Sequence, residues 1–338
     1  MKKSLIILSL ITIALALACG NGTNGKKNGE ANDTLPKIRV EVPHFNEDSA
    51  FAFTKMQVDM GPRVPNSEAH KKCGLWLESK LKSYGWKVSL QEVRLRAFDG
   101  TVLNAKNIIG SIEPEAAVRV LLCSHWDSRP WCDNDPDSAN WKKPVDGAND
   151  GASGVGVLLE IARILKNHDP GIGVDIVFFD AEDYGEPMWD RRQYSGENWG
   201  LGSQYWAKNP HVVNYSARYG ILLDMVGVPS ANFAQEGFSL QYAADIVSKV
   251  WSAAFRAGYG NYFVNSQGGT INDDHLYVNK YAGIPTINII HYEANSATGF
   301  FRYWHTTQDN MDHVDPKSLK ATGQTVLTVI FEEGAPAS

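Results

Sequence analysis

Cysteine is scarce in this chain: 338 residues hold four. One of them, Cys19, closes an apolar N-terminal stretch. The other three, Cys73, Cys123 and Cys132, are odd in number, so at most one disulfide can form and one thiol is left over. Their spacing matches no metal motif, and a disulfide scaffold is not expected. Basic runs are also missing. No Lys/Arg face forms and the net charge is −6, which argues against a nucleic-acid partner. Long apolar runs are absent too: the stretch Leu5 to Ala18 covers about 14 residues, short of the ~20 a bilayer needs. No internal repeat is found.

What is present begins with "MKKSLIILSLITIALALAC", two lysines, an apolar stretch and a cysteine. It reads as a secretory signal, and "ALAC" resembles a bacterial lipoprotein signal with Cys19 as the lipidated first residue. An ordinary signal peptide cut near Ala18 is the alternative. The expected localisation is exported and periplasmic, with membrane attachment only through a lipid anchor at Cys19. Residues 20–36 are small, polar and rich in Gly and Asn, as a flexible tether is. Residues 37–338, within a chain that is 43% hydrophobic, have enough apolar content for a single α/β domain.

Within that domain apolar runs alternate with helical patterns. Strands are expected at 117–125, around "VDIVFFD" (174–180), at 219–227 and at 284–291; helices at 152–168, 237–256, roughly 273–281 and 316–333. This alternation predicts a three-layer α/β fold, with a mostly parallel central sheet and helices on both faces. Ligands in such sheets sit beyond the carboxyl ends of the strands. Those ends, and the loops beside them, read "SHWD" (124–127), "DGANDGASG" (146–154), "DAED" (180–183), "LLDMVG" (222–227), "INDDH" (271–275) and "WHTTQD" (304–309).

Carboxylates gathered beside apolar strands need a counter-charge. A zinc ion supplies one and accepts Asp, Glu and His while keeping a position open for chemistry. The neighbours Glu182 and Asp183 can divide the work, one binding metal and the other carrying protons. Taken alone, that acidic knot could merely cap or solvate a loop; with His, Asp and Trp–His at the other strand ends it reads as a site.

The order H-x-D, GANDGASG, D-x-E-D, L-D-x-x-G, D-D-H and W-H-T resembles the zinc-dependent aminopeptidase-like fold over about residues 45–335, and in detail its glutaminyl cyclase branch. The resemblance implies Asp150, Asp183 and His305 as ligands of one Zn2+ per chain and Glu182 as general base and acid. It implies Asp224 and Asp273 as acidic partners of the base, with His125 and Asp274 in the surrounding layer. Trp304 and Trp189 are implied as pocket walls. Two positions differ from the animal cyclases, which carry Glu where Asp183 stands and His where Asn288 stands.

The implied reaction is cyclisation of an N-terminal glutamine of peptides or exported proteins to pyroglutamate, with release of ammonia. The substrate's own α-amine is the nucleophile, so its neutral form is required and a neutral-to-alkaline optimum is expected. The alternative is a two-zinc aminopeptidase, since His125, Asp150 and Asp224 are the residue types of a second metal site. The aminopeptidases commonly carry Ser at the Asp273 position and a Tyr or small residue at the Trp304 position. A non-catalytic binding domain on the same fold would be expected to have lost ligands, and Asp150, Glu182, Asp183 and His305 are all present.

Overall fold

The computed structural model describes residues 41–336; the expected signal peptide (1–19), the tether (20–36) and the boundary at residue 37 lie outside them. Chain order begins with two helices, α1 (Glu47–Val58) and α2 (Glu68–Ser83), and the strands β1 (Lys87–Arg96), β2 (Val102–Ile112) and β3 (Arg119–His125). There follow α3 (Ala152–Leu165), β4 (Gly173–Phe179), α4 (Leu201–Lys208), β5 (Gly220–Asp224), β6 (Phe233–Gln235) and α5 (Gly237–Arg256). The chain ends with β7 (Phe263–Gln267), α6 (Asp274–Tyr277), β8 (Thr286–Ile290) and α7 (Pro316–Gly334). No helix among the described residues is long and apolar enough to cross a membrane.

Six strands form the main sheet in the order β1-β2-β4-β3-β5-β8. The expected mostly parallel sheet is mixed. β4, β3, β5 and β8 run parallel, whereas β1 and β2 pair antiparallel with one another and β2 pairs antiparallel with β4. The sequence hides this edge because β1 buries no residue fully and alternates half-buried and exposed residues from Ser89 to Arg96. It buries too little to stand out as an apolar run. β6 and β7 form a separate two-stranded pair that the sequence reading also missed.

The central strands are buried on both faces, and period two sends their side chains to two different cores. Val120 and Leu122 of β3, with Ile176 and Phe178 of β4, join the core that takes in α2, α3, α5 and α7. Leu121, Cys123, Val177 and Phe179 face the smaller core that contains Trp206 and Ala207 of α4. Helix starts follow local chemistry: Asn46 and Ser67 cap α1 and α2, and Asp315 caps α7 with Pro316 at its first turn. The expected helix near 273–281 is a single α-turn, α6, continued by a π-helical turn at Val278–Ala282. Cys73, Cys123 and Cys132 are all buried free thiols.

Candidate active site

The carboxyl ends of β3, β4, β5 and β8 open on one side of the sheet, so His125, the 180–183 turn, Asp224 and the segment after Ile290 converge there. Three non-glycine residues beside this region hold left-handed backbone: Ala181 (φ 52°), Met225 (φ 47°) and His305 (φ 55°). Such residues cost about 1–3 kcal/mol each and cluster at functional sites. Gly151 opens α3 directly against His125. A Cβ there would stand 2.5 Å from the His125 carbonyl oxygen and 2.6 Å from its Cε1, so only glycine lets the helix start this close.

Asp150 sits between two histidines. His125 Nε2 lies 3.0 Å from its Oδ1, and His305 Nε2 lies 3.5 Å from its Oδ2. Asp183 Oδ1 is 3.3 Å from His305 Nε2, while Asp183 Oδ2 is buried and makes no hydrogen bond. Donor atoms of Asp150, Asp183 and His305 fall within 4.8 Å of one another, and so do those of His125, Asp150 and Asp224. His125 Nε2 also lies 3.2 Å from Asp224 Oδ1. Two carboxylates and one imidazole, one oxygen left without a partner, are the donor set of a catalytic zinc site with an open position. The first cluster fits that ion.

The electrostatics follow from burial. Burial pushes the Glu182 carboxyl well above the usual range; His125 draws it down, while the charges of Asp183, Asp273 and Asp274 push it further up. Asp224 is raised to about 7 by burial and by the charge of Asp273. Burial also raises Asp183 and Asp273, and Asp274 well above the ordinary value. For Asp150, burial acts upward, but the hydrogen bond and charge of His125 outweigh it and the carboxyl lies below its usual value. Both histidines are raised: burial opposes their charge, and the surrounding carboxylates overcome it.

Several residues outside the expected set hold this arrangement. Asp127 accepts the backbone N–H of Glu182 at 3.1 Å and of Asp183 at 3.2 Å. Asp309 accepts the N–H of Asn149 at 2.8 Å and of Asp150 at 3.1 Å. Asp133 Oδ1 lies 3.2 Å from His305 Nδ1, and Arg129 donates to both Asp133 oxygens, at 2.8 and 2.6 Å. These outer partners orient the candidate ligands. The acid-rich "HWDSRPWCDND" and the Asp309 of "WHTTQD" were visible in the sequence, but their distance along the chain from the ligands gave no reason to pair them.

A cleft of about 550 Å³ lies over the cluster, with Asp150, Glu182, Asp183, Asp224, Asp273 and His305 among its lining. Trp304 lines it and stacks on His305, ring centroids 3.6 Å apart. Trp189, expected as a second wall, is not among the residues lining the cleft; it stacks on Trp141, centroids 5.8 Å apart. Trp199 lines the cleft instead, parallel to the His305 ring at 6.4 Å. The nine residues between them carry no periodicity, so the sequence could not choose between the two indoles. Asp274 is fully buried behind Asp273, and neither of its oxygens makes a hydrogen bond. Asn288 donates to Asp273 Oδ2 at 2.6 Å.

The fold and this site define a class. Residues 107–330 match the model of peptidase family M28, and the chain belongs to that family. Among solved structures it is similar to a Zn-dependent exopeptidase from Parabacteroides distasonis, at 58% identity and a TM-score of 0.85 over 86% of this chain and 99% of that one. More particularly, it is similar to the glutaminyl cyclase of Bacteroides thetaiotaomicron bound to N-acetylhistamine, at 54% identity and a TM-score of 0.85, covering 86% of this chain and 99% of that one. Among curated proteins it resembles the glutaminyl-peptide cyclotransferase-like protein of Bos taurus, 24% identical over 298 residues, 80% of this chain and 72% of that protein.

Proposed function

We propose that the protein is a glutaminyl-peptide cyclotransferase that closes an N-terminal glutamine to pyroglutamate and releases ammonia, with one zinc per chain. The observation that carries this reading is the pairing of the Asp150–Asp183–His305 cluster with a buried, high-pKa Glu182 under an indole wall. The similarity to bacterial glutaminyl cyclases supports it.

Asp150, Asp183 and His305 would hold the zinc, which supplies a Lewis acid for the γ-carboxamide oxygen. Glu182 takes the proton from the attacking α-amine and returns one to the departing nitrogen. Its raised proton affinity suits the return of a proton to the departing nitrogen. The charge of Asp273 raises both Glu182 and Asp224, and Asn288 fixes the Asp273 carboxylate. Trp304 and Trp199 line the cleft beside His305, and flat indole faces suit a planar carboxamide. The amine and carboxamide belong to one residue, so holding that residue folded supplies much of the acceleration.

A second reading, a two-zinc aminopeptidase, has one observation in its favour: the His125–Asp150–Asp224 cluster beside the first. The N-terminal sequence supports export of the enzyme, with Cys19 as a lipid anchor and residues 20–36 as tether to the catalytic domain. The deciding experiment offers the purified protein a Gln-initiated and a Leu-initiated peptide. Ammonia and a product lighter by one ammonia from the first, with the second intact, is the expected result. Release of leucine without cyclisation would overturn the proposal.

A further inference from the structure

Behind the part of the cleft wall that carries Asp273 lies a buried carboxylate that does not line the cleft, Glu236. Glu236 precedes α5 and caps it: Oε1 accepts the N–H of Phe238 at 2.9 Å and Oε2 that of Ser239 at 2.7 Å. A cap needs no more than this. Yet Oε1 also accepts the N–H of Ile271 at 2.9 Å, 35 residues away, and His275 Nε2 lies 2.9 Å from Oε2. Ile271 and His275 flank Asp273 on either side, so one carboxylate holds the backbone before and after it.

A second route ends at the same place. Ser239 Oγ donates to Glu236 Oε2 at 2.7 Å and accepts the N–H of Asn288 at 2.9 Å. Asn288 Nδ2 in turn donates to Asp273 Oδ2 at 2.6 Å. The loop also packs tightly on the start of α5: Gly268 donates its N–H to Gln235 O at 2.7 Å, and Gly237 donates to Gly269 O at 2.8 Å. A Cβ at Gly237 would stand 2.3 Å from Thr270 Oγ1, which glycine avoids. Burial works against the charge of Glu236, but the hydrogen bond and charge of His275, helped by the N–H groups of Ile271 and Phe238, bring its carboxyl down to about 2. Ionised, it accepts from all of these donors at once.

Resting on the cyclase reading, we propose that Glu236 is a positioning residue for the reaction. Together with His275 and Ser239 it fixes the 271–275 loop and so holds the Asp273 carboxylate in its place on the cleft wall. Interaction between charges depends on their separation, so a loop free to shift would blunt whatever Asp273 does to its neighbours. Glu236 acts through Asp273 and through nothing else in the cleft.

The test is a double-mutant cycle of Glu236→Gln and Asp273→Asn, read as ammonia release from a Gln-initiated peptide. Glu236→Gln keeps the size of the side chain, but an amide nitrogen cannot accept, so one side of the clamp opens. kcat should fall about tenfold, within the coupling usual for a shared hydrogen-bond network, with KM changed less than about twofold. In the Asp273→Asn protein the same Glu236→Gln change should alter kcat by less than about twofold, because the group it positions is already gone. His275→Ala opens the clamp from the other side and carries the same cycle if Glu236→Gln does not fold. His275→Gln, whose amide donates from the same place, should recover most of kcat. Losses that multiply across the cycle, or equal losses from His275→Ala and His275→Gln, would overturn the positioning role and leave the cyclase reading standing. No ammonia from the unaltered protein would overturn the cyclase reading, and the role of Glu236 with it.

Discussion

His70 and Asp180 meet directly behind the turn that carries Glu182: the imidazole Nε2 lies 2.9 Å from each carboxylate oxygen, and both side chains are buried. Asp180 also accepts the N–H of Lys106 at 2.6 Å and of Ala181 at 2.7 Å, so one carboxylate joins helix α2, strand β2 and the left-handed residue before Glu182. Burial raises the Asp180 carboxyl and the charge of His70 lowers it. His70→Ala should therefore strand a buried carboxylate and cost about 3–5 kcal/mol of stability. The double change His70→Ala/Asp180→Asn should recover part of that loss. Denaturant midpoints for the two proteins decide the matter; equal midpoints would show that the pair contributes little.

Glu182→Gln keeps the shape of the side chain and removes its proton affinity. Turnover of a Gln-initiated peptide should fall by about 10²–10⁴-fold, the usual range for loss of a general acid–base. Zinc content should stay as before, because the three candidate ligands are untouched. Residual turnover within a few-fold of the original would remove Glu182 from its role.

Asp273→Asn tests the acidic surroundings. Its charge is the second cause, after burial, of the Asp224 shift to about 7, and it raises Glu182 as well. Removing that charge lowers both affinities for protons, so the acid limb of the pH–rate profile should move to lower pH while kcat falls tenfold or more, about 1.4 kcal/mol. A profile unchanged in position would mean that Asp273 does not act on the proton exchange.

Stability of the metal-free protein should depend on pH with a definite sign. Asp224 and Asp309 are both raised to about 7, chiefly by burial. A raised carboxylic acid holds its proton in the folded state after the unfolded chain has lost its own near pH 4, so stability falls as pH rises between those values. The raised His305 and His125 act in the same direction: their contribution is present below about 6.5 and is lost as pH rises through the folded values. The metal-free midpoint temperature should therefore be lower at pH 8 than at pH 5. Added zinc should raise it more at pH 8, where its ligands are already deprotonated. A metal-free midpoint that climbs from pH 5 to 8 would contradict the assigned shifts.

The parallel half of the fold was legible because β3, β4, β5 and β8 are buried on both faces and read as short apolar runs ending in polar residues. The antiparallel edge was not, since β1 shows solvent on one side and has no chemistry at its ends. Much of the site was legible for a related reason. Asp150, Glu182, Asp183, Asp224 and His305 follow or flank strand ends, where an open sheet of this kind gathers its ligands. Asp127, Asp133, Arg129 and Asp309 act through contacts that only the folded chain makes, 55 residues apart for Asp127 and Glu182. The exchange of Trp189 for Trp199 has the same origin: within an irregular loop, which indole reaches the carboxylate–histidine cluster is decided by the backbone path.

The central claim, one zinc serving a cyclase, is tested most directly by titrating zinc into metal-free protein while following both ammonia release from a Gln-initiated peptide and cleavage of a Leu-initiated one. The account predicts that ammonia release saturates at one equivalent per chain and that the leucine peptide stays intact throughout. Activity that saturates only at two equivalents, with leucine released and no ammonia, would contradict it and would make His125, Asp150 and Asp224 a second metal site.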